Sequence, residues 1–342
     1  MRTPALVGAL TSVCLLAACG GGGGSAPKRP EAGGLKIGLL LDELRQERWQ
    51  RDRDLFINRV EELGGKVDAR AGEGSHDSQL AAAKALLDSG VKVLVVVPND
   101  LEKAAQIVDA ASEKHVPVIS YDRLIRNADV ALYVSFDNVK VGRMQAEALL
   151  SRVPRGNYVL LGGSPNDNNA HLVRDGQMEV LKPAVASGAV KIVAEPWVEG
   201  WDTAAAARHM ADILKKNKNI AAVVASNDST AKGAIEALTA VKLAGKVAVS
   251  GQDAEIEACQ RVVAGTQTMT VYKPLKPLAR MAAGAAVSLA RGQPIDSLVK
   301  VNNGKKDVPA RLLDPISVDK SNLDVTVISD GYHTKEEVYG RK

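Results

Sequence analysis

Val91-Lys92-Val93-Leu94-Val95-Val96-Val97, running into Pro98-Asn99-Asp100, is the stretch on which the fold turns. A run this apolar and this rich in β-branched residues matches a strand buried on both faces of a parallel sheet. It has five counterparts. Leu35–Leu41 runs into Asp42, Val116–Ile119 into Tyr121-Asp122-Arg123, and Ala131–Val134 into Asp137. Ile220–Val224 runs into Asn227-Asp228, and Val247–Val249 into Gln252-Asp253. In open α/β sheets the ligand crevice lies outside the carboxyl ends of the strands. The pattern therefore places carboxylates, amides and an arginine where a small polar ligand binds.

Helix-period segments fall between these runs. Trp49, Phe56, Val60 and Leu63 share a helical spacing, as do Ala104, Ile107, Val108 and Ala111. Gly64-Gly65 stops the first helix, and Pro117 follows the second. This βαβα rhythm predicts α/β architecture with parallel sheets and right-handed crossovers. One unit spans Leu35 to about Asp137. A second begins near Asn157, with strands at Tyr158–Leu161, Lys191–Ala194, Ile220–Ala225, Val247–Ser250 and Thr268–Tyr272. Pro274–Arg291 reads as one more helix. Two such units with facing strand tips make a cleft, and ligands favour domain interfaces.

With 342 residues, two domains are the expectation. The net charge of +4 is small and its basic residues are scattered, so the chain lacks the basic stripe a nucleic-acid partner needs. Arg2 precedes an apolar stretch, Ala5–Ala18, short for a membrane span and suited to a signal-peptide core. That stretch ends in Leu16-Ala17-Ala18-Cys19, which resembles the bacterial lipoprotein processing site. The resemblance implies a signal peptide over 1–18 and a lipidated Cys19, which would anchor the protein to a membrane. Gly20–Gly24 and Ser25-Ala26-Pro27-Lys28-Arg29-Pro30 then read as a tether within 19–33. Of the other cysteines, Cys14 leaves with the signal, and Cys259 reads as a small buried apolar residue.

Several segments carry a family likeness: Glu47-Arg48-Trp49-Gln50, Tyr121-Asp122-Arg123, Gly162-Gly163-Ser164-Pro165, Asp167-Asn168-Asn169-Ala170, Ala225-Ser226-Asn227-Asp228, Ser250-Gly251-Gln252-Asp253 and Val271-Tyr272-Lys273-Pro274. Together they resemble the periplasmic sugar-binding proteins that serve ABC transporters. Gly265-Thr266-Gln267-Thr268 belongs to the same set. The Arg-Trp-Gln, Ser-Asn-Asp and Tyr-Lys-Pro segments, with Asn302-Asn303-Gly304 and Lys306-Asp307-Val308-Pro309, favour the D-xylose branch. Other segments look like those of relatives that bind glucose, galactose or arabinose. The resemblance implies a two-lobed fold, each lobe a parallel sheet flanked by helices, joined by a three-strand hinge. It places the N-terminal lobe at 34–137 plus 274–312 and the C-terminal lobe at 138–273 plus 313–342. The crossings fall near Phe136–Asn138, Tyr272–Lys273 and Leu312–Asp314.

It also implies a set of ligand residues. Sugar hydroxyls donate and accept, so planar forked groups suit them. Asp122, Asp167 and Asp253 would accept, Arg48, Arg123 and Lys273 would donate, and Asn169 and Asn227 would do both. Trp49 and Trp197 would pack on the two faces of the ring, although Trp49 also fits the apolar stripe of its helix. Trp201 reads as packing, and Arg174 as a surface or hinge contact. Asp42, Asp100 and Asp137 precede helical segments and read as caps. Asp122 beside Arg123 could equally form an internal ion pair.

No metal-site spacing, P-loop, nucleophile elbow or strand-linked glycine fingerprint is present, so the expectation is a non-enzyme without cofactor or metal. The implied partners are a monosaccharide, an ABC transporter permease, the membrane through the lipid anchor, and no nucleic acid. The protein is expected outside the cytoplasm, lipid-anchored, as a monomer. A sugar sensor that signals to a chemoreceptor or kinase is the alternative.

Overall fold

A computed structural model describes residues 34–296 and 299–340. The signal-peptide, Cys19 and tether expectations lie outside the described residues. From Gly34 the chain forms one compact unit. Its first part runs β1 (Lys36–Leu41), α1 (Glu47–Glu62), β2 (Lys66–Ala71), α2 (His76–Asp88), β3 (Val93–Val96), α3 (Ala105–Glu113), β4 (Val118–Tyr121) and β5 (Leu132–Phe136). The second runs α4 (Asn138–Arg152), β6 (Gly156–Leu161), α5 (Asn168–Ala186), β7 (Val190–Ala194), α6 (Thr203–Lys216), β8 (Ala222–Ala225), α7 (Asp228–Ala240), β9 (Ala248–Val249), α8 (Ile256–Ala264) and β10 (Thr270–Tyr272). Helix α9 (Leu275–Ala290), β11 (Val299–Asn302), β12 (Asp307–Leu313), β13 (Ile316–Val318) and α10 (Lys335–Tyr339) follow.

Each lobe has its own sheet. The first orders its strands β11-β12-β5-β4-β3-β1-β2, and every pairing is parallel except β11 with β12. The second, β7-β6-β8-β9, is parallel throughout. Strand β3 is buried along its whole length, as a run of valines and leucine requires between two helix layers. One layer is α1 and α9, whose Trp49, Phe56, Val60, Leu278 and Ala282 pack on that sheet. The other is α2 and α3, through Ala83, Leu86, Ile107 and Ala111. In the second lobe α6 and α7 cover one face and α4 and α5 the other.

The chain passes between the sheets at three points: between β5 and α4, between β10 and α9, and between β12 and β13. Strands β10 and β13 pair antiparallel beside these passages. The polar strand β2 and the β11–β12 hairpin had no counterpart in the sequence reading. Strands β2 and β11 are the two edges of the first sheet, where exposed and half-buried residues leave no need for an apolar run.

Two glycines let α4 and α5 cross closely. A Cβ on Gly142 of α4 would lie 1.9 Å from the Val173 carbonyl oxygen, and one on Gly176 of α5 would lie 1.9 Å from that of Val139. Only hydrogen on both sides permits this approach.

Candidate functional site

Between the strand tips of the two sheets lies a cavity lined by Arg48, Trp49, Asp122, Arg123, Asp167, Asn169, Asn227, Asp253 and Lys273, and also by Gln46, Trp201 and Gln252. The first nine are residues expected from the sequence to bind ligand, so the structure brings all of that set together except Trp197.

Two guanidinium groups organise the charges. Arg48, on the inner face of α1, bonds Asp122 Oδ2 at 2.8 Å, Asp52 Oδ2 at 3.1 Å and Asp253 Oδ1 at 3.2 Å. Lys273, just past β10, reaches the same Asp253 oxygen at 3.0 Å. Arg123 bonds Asp42 Oδ2 at 2.7 Å, Asp167 Oδ2 at 2.8 Å and the Pro98 carbonyl at 3.0 Å. Asp253 and Asp167 belong to the second lobe, so each arginine ties the two lobes together. The Trp49 indole lies beside both: its ring centre is 4.3 Å from the Arg48 guanidinium carbon and 5.3 Å from that of Arg123. Cations in such positions are attracted to the ring face.

Backbone strain gathers here. Asp122, Trp201 and Asp253 have φ of 62°, 56° and 96°. Aspartate tolerates this region and a bulky indole residue seldom adopts it, so neighbours must hold these conformations in place. The Asp122 carbonyl accepts from Ser135 Oγ at 2.6 Å, Asn169 Nδ2 at 3.0 Å and Tyr133 OH at 3.1 Å. Asn169 Nδ2 also donates to Asp122 Oδ1 at 3.0 Å, a second link from α5 to the first lobe. Asp167 caps α5, accepting from the Asn169 N–H at 2.9 Å. Asn227 lines the cavity and caps α7 through its Oδ1, which accepts from the Thr230 N–H at 2.8 Å.

Burial and charge pull these carboxylates in different directions. Burial raises Asp52 to about 6 against the opposing pull of Arg48 and the Tyr121 hydroxyl. Burial also pushes Asp122 up, but Arg48, Lys273 and Arg123 outweigh it and hold the group below its ordinary value. For Asp167 burial wins over Arg123 and the value is raised. Arg48 and Arg123 lose solvation by burial, yet the surrounding carboxylates hold both above their ordinary values. Arg48 Nε, Trp49 Nε1 and Gln252 Oε1 are buried without a protein partner. Such groups suit a ligand that both donates and accepts.

Three expectations need correction, for Trp197, Trp201 and Asp42. Trp197 does not line the cavity. Its ring packs against His171 and the Arg174 guanidinium, beside Gly162. Trp201 takes the place instead, because a short helical turn at Glu199–Trp201 swings its indole inward. There Nε1 donates to Asp167 Oδ2 at 3.2 Å, and the ring fills the space where a Cβ on Gly163 would stand, 2.1 Å away. Asp42 is not a helix cap: its carboxylate accepts from Arg123 and from Asn99 Nδ2, the latter at 2.7 Å. Asp137 does cap α4, and Asp100 accepts from the backbone N–H groups of Glu102 and Lys103. Cys259 is buried, and burial raises its thiol to about 12, which suits an inert packing residue. Among the described residues no group of His, Cys, Asp or Glu is arranged to hold a metal ion.

Residues 37–294 match the model of the periplasmic binding protein domain. The D-xylose-binding periplasmic protein of Haemophilus influenzae is 51% identical over 306 residues, covering 89% of this chain and 92% of that protein. The protein of the same description from Escherichia coli is 50% identical over 305 residues, with 89% and 92% covered. Among solved structures, a carbohydrate transporter solute binding protein from Chloroflexus aurantiacus in complex with D-glucose superposes with a TM-score of 0.84 at 31% identity, covering 89% of this chain and 98% of that one.

Proposed function

The chain belongs to the periplasmic binding protein family, and from that premise we propose that it captures D-xylose between its lobes and delivers it to an ABC transporter permease. The observation that carries the reading is the convergence of forked donors and acceptors from both lobes on one cavity. Such a set can satisfy several hydroxyls at once, with bonds strengthened by charge.

The cavity volume is about 20 Å³, room for about one water. A pyranose ring therefore enters by parting the lobes, and Arg48, Asp253 and Lys273 exchange bonds with one another for bonds to hydroxyls. Closure then follows from differential contact: only the closed form engages the sugar from both sides. An affinity near ~1 μM needs about −8 kcal/mol net, within reach of several charge-assisted bonds less the cost of ordering. Arg48, Trp49, Asp122 and Arg123 serve from the first lobe. Asp167, Asn169, Trp201, Asn227 and Asp253 serve from the second, and Lys273 from the passage between them. The lobes comprise 34–137 with 274–312 and 138–273 with 313–342, a division supported by the packing of α9 on α1.

Titration calorimetry with D-xylose, glucose, galactose and arabinose tests the ligand. Tightest binding of D-xylose is expected, and a hexose bound more tightly would overturn the assignment. Lipid anchoring through Cys19 rests on Leu16-Ala17-Ala18-Cys19. Labelled palmitate should enter the exported protein and not its Cys19→Ser variant.

A further inference from the structure

Helix α1 meets the second lobe at a second point, away from the cavity. Arg51, one turn beyond Arg48, donates through Nη1 to the Tyr332 carbonyl, and its guanidinium carbon stands 4.5 Å from the Tyr332 ring centre. Its Nη2 faces His333 Nδ1 at 3.4 Å and is held from behind by Glu47 at 2.7 Å. Tyr332 packs into the apolar cluster of Ala254, Cys259, Tyr272 and Val318, so this contact also crosses between the lobes.

His333 is only 2% exposed, and its Nε2 lies 2.7 Å from the Ala254 carbonyl. A carbonyl only accepts, so Nε2 carries the proton and Nδ1 is left as an acceptor toward Arg51. Ala254 follows Asp253, and the pair has φ of 51° and 96°. Three bonds from nitrogen donors hold that turn, and the Cys259 thiol donates to the Ala254 carbonyl as well. The Asp253 N–H donates to the Val271 carbonyl at 2.8 Å, the Ala254 N–H donates to Thr270 Oγ1 at 3.2 Å, and the Ala254 carbonyl accepts from His333.

We propose that His333 is a positioning residue for the sugar site: it fixes the strained Asp253 turn and, through Arg51, ties that turn to the opposite lobe, so closure requires its neutral imidazole. The inference rests on the sugar-capture reading above and gives it a pH dependence. A proton on Nδ1 would point N–H at a guanidinium already in contact. The charged groups acting on the ring are Arg51 and Glu47 from α1 and Glu337 from α10; its own segment presents the neutral ring of Tyr332, and the Cys259 thiol of α8 shares the Ala254 carbonyl with it. Burial pushes the imidazole below its ordinary value; the Ala254 bond opposes this and Arg51 adds to it. The Ala254 bond and the packing around it lie within the second lobe and persist when the lobes part, so opening removes the contact with Arg51. The open form then takes a proton more readily, and closure weakens as pH falls below the ordinary value of about 6.5.

The test measures D-xylose affinity at about pH 7.5 and about pH 5.5 for the parent, His333→Gln and Arg51→Met. Small-angle scattering of the sugar-free proteins at both pH values accompanies it. The parent should weaken by about 3- to 10-fold in acid and become more open. His333→Gln keeps a donor near Nε2 but cannot titrate, so its affinity ratio between the two pH values should be about threefold smaller than the parent's. Arg51→Met, which spares the imidazole, should bind several-fold more weakly at the higher pH and also lose acid sensitivity. An unchanged ratio in both variants, or scattering with the same acid response in all three proteins, would overturn the inference. Failure of the parent to bind D-xylose at the higher pH would instead count against the function, and scattering would still decide the role of His333.

Discussion

The two guanidinium groups of the cleft look alike in composition and differ in balance. Arg123 meets two carboxylates and a carbonyl, and Asp42 and Asp167 each have a further donor, from Asn99 and from Trp201. Arg48 meets three carboxylates, and one of them, Asp52, stands behind it, away from the cavity, with the Tyr121 hydroxyl as its other partner at 2.6 Å. Lys273 also holds Asp253, and Lys273 and Arg123 also act on Asp122, whereas Asp52 has only Arg48 and Tyr121. Burial outweighs both and raises it to about 6. On the Arg123 side burial raises Asp167 as well, but Asp167 keeps three partners, Arg123, the Trp201 indole and the Asn169 N–H. The Arg48 side keeps a tension that protonation can relieve.

The largest expected effect comes from removing either cation. Arg48→Met and Arg123→Met should each weaken sugar binding by about 100-fold or more, near 3 kcal/mol, in calorimetry. Stability should separate them. Arg123→Met leaves Asp42 and Asp167 buried and charged, at a cost of about 3–5 kcal/mol. Arg48→Met costs less, because Lys273 still holds Asp253, Asn169 still holds Asp122, and Asp52 can take a proton. Equal melting temperatures would erase the distinction.

Next comes pH. The folded pKa of Asp52 lies above its ordinary value, so the folded state holds the extra proton and Asp52 disfavours folding increasingly as pH rises from about 4 to about 6. Chemical denaturation of Asp52→Asn should lack this slope, worth up to about 3 kcal/mol. An identical slope in the variant would place the tension elsewhere.

Smaller effects probe the Arg123 side. Trp201→Ala should weaken binding by about 10-fold or more through loss of the ring and of the Asp167 bond. Gly163→Ala should displace that ring and lower stability by about 1–3 kcal/mol. Trp197→Ala, outside the cavity, should change affinity by less than about threefold. A larger loss in Trp197→Ala than in Trp201→Ala would restore the sequence expectation.

The parts of this fold that were legible beforehand were those written in continuous apolar runs. Strands such as Val93–Val96 and Leu132–Phe136 must be apolar on both faces, so composition reveals them. Lys66–Ala71 has one face toward helices and a free edge, so its charges concealed it. Residues at strand tips were legible for a similar reason, since topology sends all such tips to one cleft. The choice between Trp197 and Trp201 depends on a single short turn and on a missing Cβ at Gly163, neither of which local pattern records. Asp42 as cap and Asp42 as ion-pair partner have the same sequence appearance. Asp52 went unnoticed because an acid four residues after an arginine usually marks a solvated helix face. Its signal was the neighbouring Trp49, which shows that this face is buried.

A crystal structure of the protein grown with D-xylose tests the central claim most directly. The account predicts a pyranose between the lobes, bonded to Arg48 and Asp122 from one side and to Asn169 and Asp253 from the other, with Trp201 against the ring. A sugar bound to one lobe alone, or lodged outside this cavity, would contradict it.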